Sequence, residues 1–367
     1  MQDWFLAEAA ILSRRKSARE GRLDLEPVTI QSRILRPHKA VHAAQFERRT
    51  VLTTNPFNYV DLWLRRQHKD DALFYRRQAR AFYQAAQGLP TESSPLVLYY
   101  CFMNAAKALL SAKGVAFAEH HGVRAHKMRG PTGKVVLSNE GIRFQTTGIA
   151  PALSNYLGET TNVIIHSLED ILYNIVCIHR TYCLSYPRMR EIFLPLREAA
   201  FVRDSNSGAV HLRALAATDI DWQSFRRVLP ASFRSLPDSV RGVLSTSSVN
   251  WATNANPAPA EINVLRLLHE SLRACLHYIN GAQTLWYLKT DGAHGIDRRP
   301  ITLTLAAMHR LSEICRYRPS DLLSLLNGQK NWLLTEFLST SPPQYLDEIA
   351  CEITGHQIMI PNVRTPA

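Results

Sequence analysis

The sequence lacks the short motifs that identify many enzymes. It contains no Gly-x-x-x-x-Gly-Lys-Ser/Thr phosphate loop and no Gly-x-Gly-x-x-Gly turn for a dinucleotide. Gly-x-Ser-x-Gly and His-Glu-x-x-His are absent too, which removes the usual evidence for a serine hydrolase or a zinc protease. Because no nucleophile and base can be paired, we favour a protein that is not an enzyme.

Cysteine pairs and targeting segments are also missing. None of the six cysteines forms a Cys-x-x-Cys pair, and several lie in apolar helical segments, which is typical of free thiols in a reducing compartment. The first residues do not have the pattern of a signal peptide, since no apolar run with a small-residue cleavage site follows them. We accordingly expect a cytoplasmic protein that does not bind a membrane.

One segment is apolar nearly throughout. It covers residues 95–110, follows a Ser-Pro pair typical of a helix N-terminus, and ends before Gly114. Asn104 and Lys107 interrupt it, and it is too short for a comfortable membrane span. A helix that is apolar on all sides belongs in the centre of a protein, so we expect a buried central helix over about residues 94–113.

Around this helix, the spacing of apolar residues predicts a mainly α fold. We expect a multi-helix bundle with two small β-hairpins, the first pairing residues 134–137 with 141–144 and the second turning at residues 204–208. The longest helical pattern, over residues 261–289, predicts one helix of about 25 residues. The expected domains are a basic leader at 1–54, a helical core with a small hairpin at 55–190, a small α+β insertion with a flexible loop at 191–258, and a C-terminal helical region at 259–367 that packs on the core.

The positive charge is concentrated in the first third of the chain. Residues 1–130 contain 15 Arg and 6 Lys against 11 Asp and Glu, which accounts for most of the formal net charge of +12. A basic end on a nearly neutral body favours an anionic partner, most plausibly nucleic acid. The alternative is that these side chains only keep the surface soluble, because charge alone does not define a binding site.

Two groups of basic residues are candidates for phosphate contacts. One directly follows the central helix and includes three histidines within seven residues. The other precedes it at helical spacing, so that pairs of side chains share a face and could follow a phosphate backbone, unless Asp70 and Asp71 neutralise them. The candidate nucleic-acid-binding residues are Arg65, Arg66, Lys69, Arg76, Arg77, Arg80, His120, His121, Arg124, Lys127 and Arg129.

The histidines are also the candidates for catalysis and for metal binding. In a metal-free ribonuclease, His120, His121 or His126 would act as general acid and base. Arg124 would then contact the phosphate. Three histidines could also hold a metal ion, but beyond Glu119 no nearby carboxylate or cysteine completes a site. We therefore expect no metal and no cofactor, and an ordinary solvated loop stays the main alternative.

Several stretches, in order along residues 55–355, resemble the YaaC-like family of bacterial proteins. They are Asn55-Pro56, Ser94-Pro-Leu-Val-Leu-Tyr-Tyr100, Asn104-Ala-Ala-Lys-Ala-Leu109, His121-Gly122, Ser167-Leu-Glu-Asp-Ile-Leu172, Arg310-Leu-Ser-Glu-Ile-Cys-Arg-Tyr-Arg-Pro319 and Asn331-Trp-Leu-Leu-Thr-Glu-Phe337. The resemblance implies a cytosolic, mostly helical protein, and it implies no particular activity. Within the sixth stretch, the i, i+3 spacing of Arg310 and Glu313 predicts a structural salt bridge.

The segment from Tyr99 to Leu110 is also similar to a core helix of HEPN domains, helical bundles of prokaryotic toxins and defence nucleases. Active members of that group cleave RNA with an Arg-x4–6-His motif. Here that spacing occurs at Arg33/His38 and Arg36/His42, in the leader rather than on a late core helix. This likeness implies a role in a defence or stress complex, by analogy, without the nuclease motif in its usual place.

We therefore carry three hypotheses into the structure. The first is an accessory protein of the bacterial cytoplasm that binds RNA or DNA, or an assembly containing them, through its basic N-terminal third. The second is a metal-free ribonuclease of HEPN type. The third is an assembly subunit that binds another protein or a second copy of this chain through its helical surfaces, with the charge incidental.

Overall fold

The structure is a computed structural model that describes residues 24–130, 133–237, 240–251, 257–328 and 330–361. Helices make up 43% and strands 19% of it. The expectation of a mainly α, or all-α, fold was therefore wrong, because the strands build one large antiparallel sheet of eight strands instead of two small hairpins.

The helices and strands are numbered in chain order over the described residues. The helices are α1 (Pro56–Arg66), α2 (Asp70–Ala86), α3 (Ser94–Ala112), α4 (Ile149–Tyr156), α5 (Leu168–Tyr173), α6 (His179–Ser185), α7 (Trp222–Arg226), α8 (Pro259–Leu272), α9 (Pro300–Tyr317), α10 (Pro319–Leu326) and α11 (Asn331–Thr354), with a 3-10 turn at Val176–Ile178. The strands are β1 (Leu25–Pro27), β2 (Thr29–Ile30), β3 (Arg33–Ile34), β4 (Val51–Leu52), β5 (Val123–Lys127), β6 (Glu140–Phe144), β7 (Ile165–Ser167), β8 (Phe193–Asp204), β9 (Ala209–Ala216), β10 (Phe233–Ser235), β11 (Gly242–Ser245), β12 (Val249–Asn250), β13 (Leu276–Ile279), β14 (Leu285–Lys289) and β15 (Ile358–Met359).

The large sheet curls into a half-barrel with the strand order β10-β11-β9-β8-β14-β13. β1 pairs with β8 and β12 pairs with β9 beside this path. The register of β8 and β9 shifts between Arg197 and Ala200, where Glu198 adopts a positive φ of 53°. Such a bulge bends the strand and increases its twist, which helps the sheet to curl. The expected hairpin turning at residues 204–208 is confirmed, and it forms the centre of this sheet.

The single helix predicted over residues 261–289 was wrong. Helix α8 ends at Leu272, and β13 and β14 follow as an antiparallel pair that joins the sheet beside β8. The i, i+3 and i, i+4 spacing continues past Leu272, which hid the change of structure. Asn280-Gly281 lies in the turn, and this dipeptide is a strong hairpin signal that the helical pattern obscured.

The first hairpin was predicted with the wrong partner strand. β6 pairs with β5 and with β7, and residues 134–137 form no strand. The register buries Val123, Ile142 and Phe144. A Cβ atom at Gly141 would lie 2.9 Å from the backbone oxygen of His126, so glycine allows the two strands to approach. The apolar residues at 134–137 were mistaken for the partner strand.

The buried central helix was predicted correctly. Helix α3 spans Ser94–Ala112, is buried along most of its length and packs against α2, α9 and α11. Phe102 on α3 stacks on Tyr345 of α11 with ring centroids 4.3 Å apart. This bundle forms one apolar cluster, and the interior of the half-barrel with α8 forms a second.

Residues 24–54, the described part of the expected basic leader, lie between these two clusters. Val28 and Phe46 belong to the core of the half-barrel. The buried ammonium of Lys39 binds Asp347 of α11 at 3.1 Å, and Tyr278 of β13 donates to the same carboxylate at 2.9 Å. This buried ion pair therefore connects residues 24–54, the large sheet and the helical bundle to one another.

A second buried carboxylate holds the same segment. Glu352 of α11 accepts hydrogen bonds from the backbone N–H groups of Val41, His42 and Ala43 at 2.6 to 3.1 Å. Tyr156 of α4 donates to it at 2.8 Å. Three adjacent N–H groups that would otherwise be buried without partners are thus satisfied by one side chain.

Glu352→Ala should destabilise the protein, because it leaves these buried donors unsatisfied. We expect the free energy of unfolding to fall by about 3 kcal/mol, measured by denaturant titration. Glu336→Ala on the same helix, where the side chain is only half-buried, is the matched control and should change it by about 0.5 kcal/mol or less. Equal midpoints for the two variants would contradict the role of Glu352.

Candidate functional site

The loop between α3 and β5 carries His120 and His121 and is held by the N-terminus of α4. The backbone oxygens of His120 and His121 accept hydrogen bonds from the N–H groups of Ile149 and Ala150 at 3.0 and 3.1 Å. The two glycines at this contact touch: a Cβ atom on Gly148 would lie 2.5 Å from the Cα atom of Gly122. The histidine loop is therefore fixed by backbone contacts rather than left as a free surface loop.

His121 belongs to a cluster that sequence reasoning only half found. The hydroxyl of Tyr99 on α3 lies 2.6 Å from its Nδ1 atom. The ring of His309 on α9 lies 5.1 Å from the ring of His121 and 4.9 Å from that of Tyr99, between centroids. Glu313, one turn further along α9, is 3.6 Å from Nδ1 of His309. We call Tyr99, His121, His309 and Glu313 the histidine cluster.

Burial sets the protonation of this cluster. It raises the pKa of Tyr99 far above its usual range, so the phenol that meets Nδ1 of His121 keeps its proton. Burial also lowers the pKa of His121, with smaller contributions from His120 and Lys107. The pKa of His309 falls to about 3, again mainly through burial. At neutral pH both rings are thus uncharged.

Glu119 lies at the exposed side of this loop. It accepts a hydrogen bond from the hydroxyl of Tyr75 on α2 at 3.1 Å and forms an ion pair with Lys107 of α3. The hydrogen bond from Lys107 is the main reason why the pKa of Glu119 lies below its usual value. Lys107, which interrupts the apolar pattern of the central helix, is therefore explained by an ion pair at its surface.

Glu140 on β6 lies behind the cluster and binds three cations. Burial alone would raise its pKa, but hydrogen bonds from Arg318 and Lys127, together with the charge of Arg310, bring it to about 2. Lys127, expected to contact nucleic acid, is occupied by this carboxylate. The predicted salt bridge between Arg310 and Glu313 is confirmed, with Nη1 and Oε2 3.1 Å apart.

The other basic group divides into packed and exposed residues. Arg76 is buried, with its guanidinium 3.9 Å from the ring centre of Phe57, and burial lowers its pKa to about 10. Arg80 donates to the side chain of Asn58 at 2.8 Å. These two arginines pack α2 against α1. Arg65, Arg66, Lys69 and Arg77 are exposed.

In the sequence, the exposed residues of the two groups precede and follow the loop between α3 and β5. Lys69 is close enough to Lys113, at the end of α3, for its charge to add to the burial that lowers the pKa of Lys113. On the far side of the loop, Arg124 and Arg129 are exposed. His126 is half-buried on β5, and among the described residues no recorded contact joins it to His121 or Arg124.

Sequence reasoning missed three members of the histidine cluster as functional residues. Tyr99 was read only as part of the apolar central helix, and Glu313 only as a salt-bridge partner. His309 directly precedes Arg310, at the start of a family-like stretch, and that adjacency was the available signal. Nothing in the spacing of residues 99, 121 and 309 shows that they meet.

The described residues contain neither a metal-binding cluster nor a membrane-spanning helix. No group of three or more His, Cys, Asp or Glu side chains in that part of the chain has an arrangement that could hold a metal ion. No helix there combines the length and the apolar character that crossing a membrane requires.

Comparison with known proteins gives one match. The model of the family described as YaaC-like protein matches residues 38–353, which is most of the chain. The match begins at the buried segment that contains Lys39 and ends within α11. No curated protein and no solved structure matches the chain significantly.

His309→Gln should weaken the pH dependence of stability. A histidine whose folded pKa is lowered favours the native state above about pH 6.5, its unfolded pKa, and this stabilisation is lost as the pH falls towards the folded value. With a folded pKa of about 3, His309 should account for about 2 kcal/mol of the stability lost between pH 7 and pH 5. Urea titrations at both pH values measure this difference.

The same substitution at exposed His294 is the control for removing a histidine. If His309→Gln and His294→Gln lose the same free energy between pH 7 and pH 5, His309 is not held neutral in the native protein.

Proposed function

The chain belongs to the YaaC-like protein family, and we propose that it binds nucleic acid through the exposed basic residues on either side of the loop between α3 and β5. In this proposal it is an accessory protein of the bacterial cytoplasm rather than an enzyme. A place in a defence or stress complex follows only from the likeness of α3 to a HEPN core helix and is an analogy.

One observation carries the proposal: the exposed cations of this surface have no recorded acidic partner in the described chain. They are Arg65, Arg66, Lys69, Arg77, Arg124 and Arg129. By contrast, Arg298 is neutralised by Glu159 and Arg266 by Glu47. Each cation that neutralises a phosphate releases counterions condensed on the nucleic acid, and this release drives binding.

The chemistry of the loop fits a phosphate backbone. His121 presents a neutral ring, whose Nε2–H can donate when Nδ1 accepts the hydroxyl of Tyr99. His120 is exposed beside it, with its Nε2 3.0 Å from the backbone oxygen of Thr147. Neutral donors and guanidinium groups together position phosphates without reading bases. We therefore expect binding to RNA or DNA with little dependence on sequence.

Substituting the unpaired cations should flatten the salt dependence of binding. For single strands, the slope of log K against log salt is about 0.7 per phosphate contact, so Arg65→Gln with Arg66→Gln should reduce it by about 1.4. Fluorescence anisotropy with labelled RNA and DNA 20-mers, at several salt concentrations, measures this slope.

A double variant with the same loss of charge on the half-barrel, Arg197→Gln with Arg234→Gln, is the matched control, because both residues are exposed there. Equal reductions from both double variants would show that net charge, and not this surface, is responsible. No binding of the wild type at low salt would reject nucleic-acid binding and leave the assembly-subunit hypothesis.

The second candidate, a metal-free ribonuclease, is favoured by the bond between Tyr99 and His121. A buried phenol that holds an imidazole by Nδ1 orients the ring, and this is a common arrangement for an acid–base group. His309 is nearly fully buried, so it would position the cluster rather than touch RNA.

If RNA is cleaved, His121→Ala should reduce the rate by about 10²-fold or more, the usual contribution of a general acid or base. His126→Ala, on the neighbouring strand, should leave the rate unchanged because no recorded contact connects it to the cluster. Denaturing gels of RNA incubated with EDTA distinguish the outcomes. Intact RNA with the wild type would reject the ribonuclease and leave binding unaffected.

A further inference from the structure

A wide cavity lies outside the histidine cluster, and none of the four cluster residues lines it. Its walls come from the loop between β5 and β6, from the start of α5 and the end of α6, and from the junction of α10 and α11. Its volume is about 690 Å³, within the range of small-ligand sites. We call it the junction groove.

The charge around the junction groove is positive. Arg129, Lys134 and Lys330 line it, and Glu169 is the acidic residue among the lining side chains. The carboxylate of Glu169 accepts the hydroxyl of Tyr186 at 3.0 Å, so it already has a neutral partner. Lys330 binds the backbone oxygen of Ser185 and lies 3.5 Å from the centre of the Tyr186 ring, and no carboxylate of the described residues forms an ion pair with it.

The backbone at two cations of one rim is anchored by a single buried side chain. Asn139, fully buried, accepts the backbone N–H of Arg129 at 2.7 Å and donates to the backbone oxygen of Lys134 at 3.1 Å. One side chain thus fixes the backbone on both sides of the loop. The spacing of Arg129 and Lys134 is therefore largely set before any ligand binds, which lowers the entropic cost of binding.

The remaining lining of the groove is apolar with a few hydroxyl groups. Val136 is exposed, with 37% of its surface accessible, and Leu325 contributes to the same surface. Ser138 and Ser324 add hydroxyls beside them. Apolar walls with a few polar groups are typical of sites for organic ligands rather than for inorganic ions.

We propose that the junction groove binds a nucleoside phosphate, with the phosphate near Arg129 and Lys134 and the planar base against Val136 and Leu325. The ligand chemistry is the same for a free nucleotide and for one unit of a bound strand. The strand-bound case rests on the nucleic-acid binding proposed above. Because Arg129 belongs both to the junction groove and to the exposed basic residues of that proposal, a bound strand would extend from one to the other.

Ser324→Trp tests the site because it fills the groove from an exposed helical position. The hydroxyl of Ser324 binds only the backbone oxygen of Ser320 within the same helix, so its loss should cost little stability. Ser320→Trp, one turn earlier and outside the groove, is the matched control. Calorimetric titration of the full chain with AMP, adenosine and inorganic phosphate measures binding, and a competing single-stranded 20-mer identifies the source of the ligand.

We expect AMP to bind more tightly than adenosine or inorganic phosphate, and Ser324→Trp to weaken it by about tenfold or more while Ser320→Trp leaves it within about twofold. Competition by the 20-mer assigns the site to a strand, and binding of AMP without such competition assigns it to a free nucleotide. AMP binding that is equal in both variants, or no tighter than phosphate, would overturn the proposal. If the 20-mer then still binds with a steep salt dependence, nucleic-acid binding stands without the groove.

Discussion

The buried contacts of the segment at residues 38–43 hold the two halves of this structure together. Lys39 binds Asp347 inside the protein, and Glu352 takes up the N–H groups of the next turn of chain. Both carboxylates lie on α11, which packs on the central helix, while Tyr278 brings a strand of the half-barrel to the same ion pair. A buried charge without its partner costs several kcal/mol, so neither half can move away from the segment independently.

This arrangement explains why the basic N-terminal third is not a uniform binding surface. Some of its cations are structural: Lys39 lies at the interface of the two halves, Arg76 packs on Phe57, and Lys127 binds Glu140. Others, such as Arg65, Arg66 and Arg124, remain exposed. Formal charge therefore overstates the number of available phosphate contacts, and the exposed cations without an ion pair in the described chain are what support the proposed nucleic-acid binding.

The histidine cluster shows how burial converts titratable residues into neutral donors and acceptors. His309 is buried in the bundle, where burial disfavours a charged ring, so it stays neutral. Tyr99 keeps its proton, so the hydrogen bond that holds His121 at the surface joins two neutral groups. Sequence reasoning named His121 among several candidate residues, and the structure gives this residue defined partners. It did not find His309, because residues nearly two hundred positions apart have no shared local pattern.

Local patterns were sufficient where local interactions decide the structure. The apolar composition of residues 95–110, with a Ser-Pro start and a glycine stop, predicted the central helix correctly, because a segment with no polar face must be buried. The turn residues at 204–208 predicted the hairpin correctly, because a turn is also a local feature of the sequence. Only the tertiary structure decided that residues 276–279 and 285–289 are strands and that residues 123–127, not 134–137, pair with 140–144. Strand pairing depends on a partner elsewhere in the chain, and so do the partners of Lys39, Glu352 and His121, which the order of residues alone does not specify.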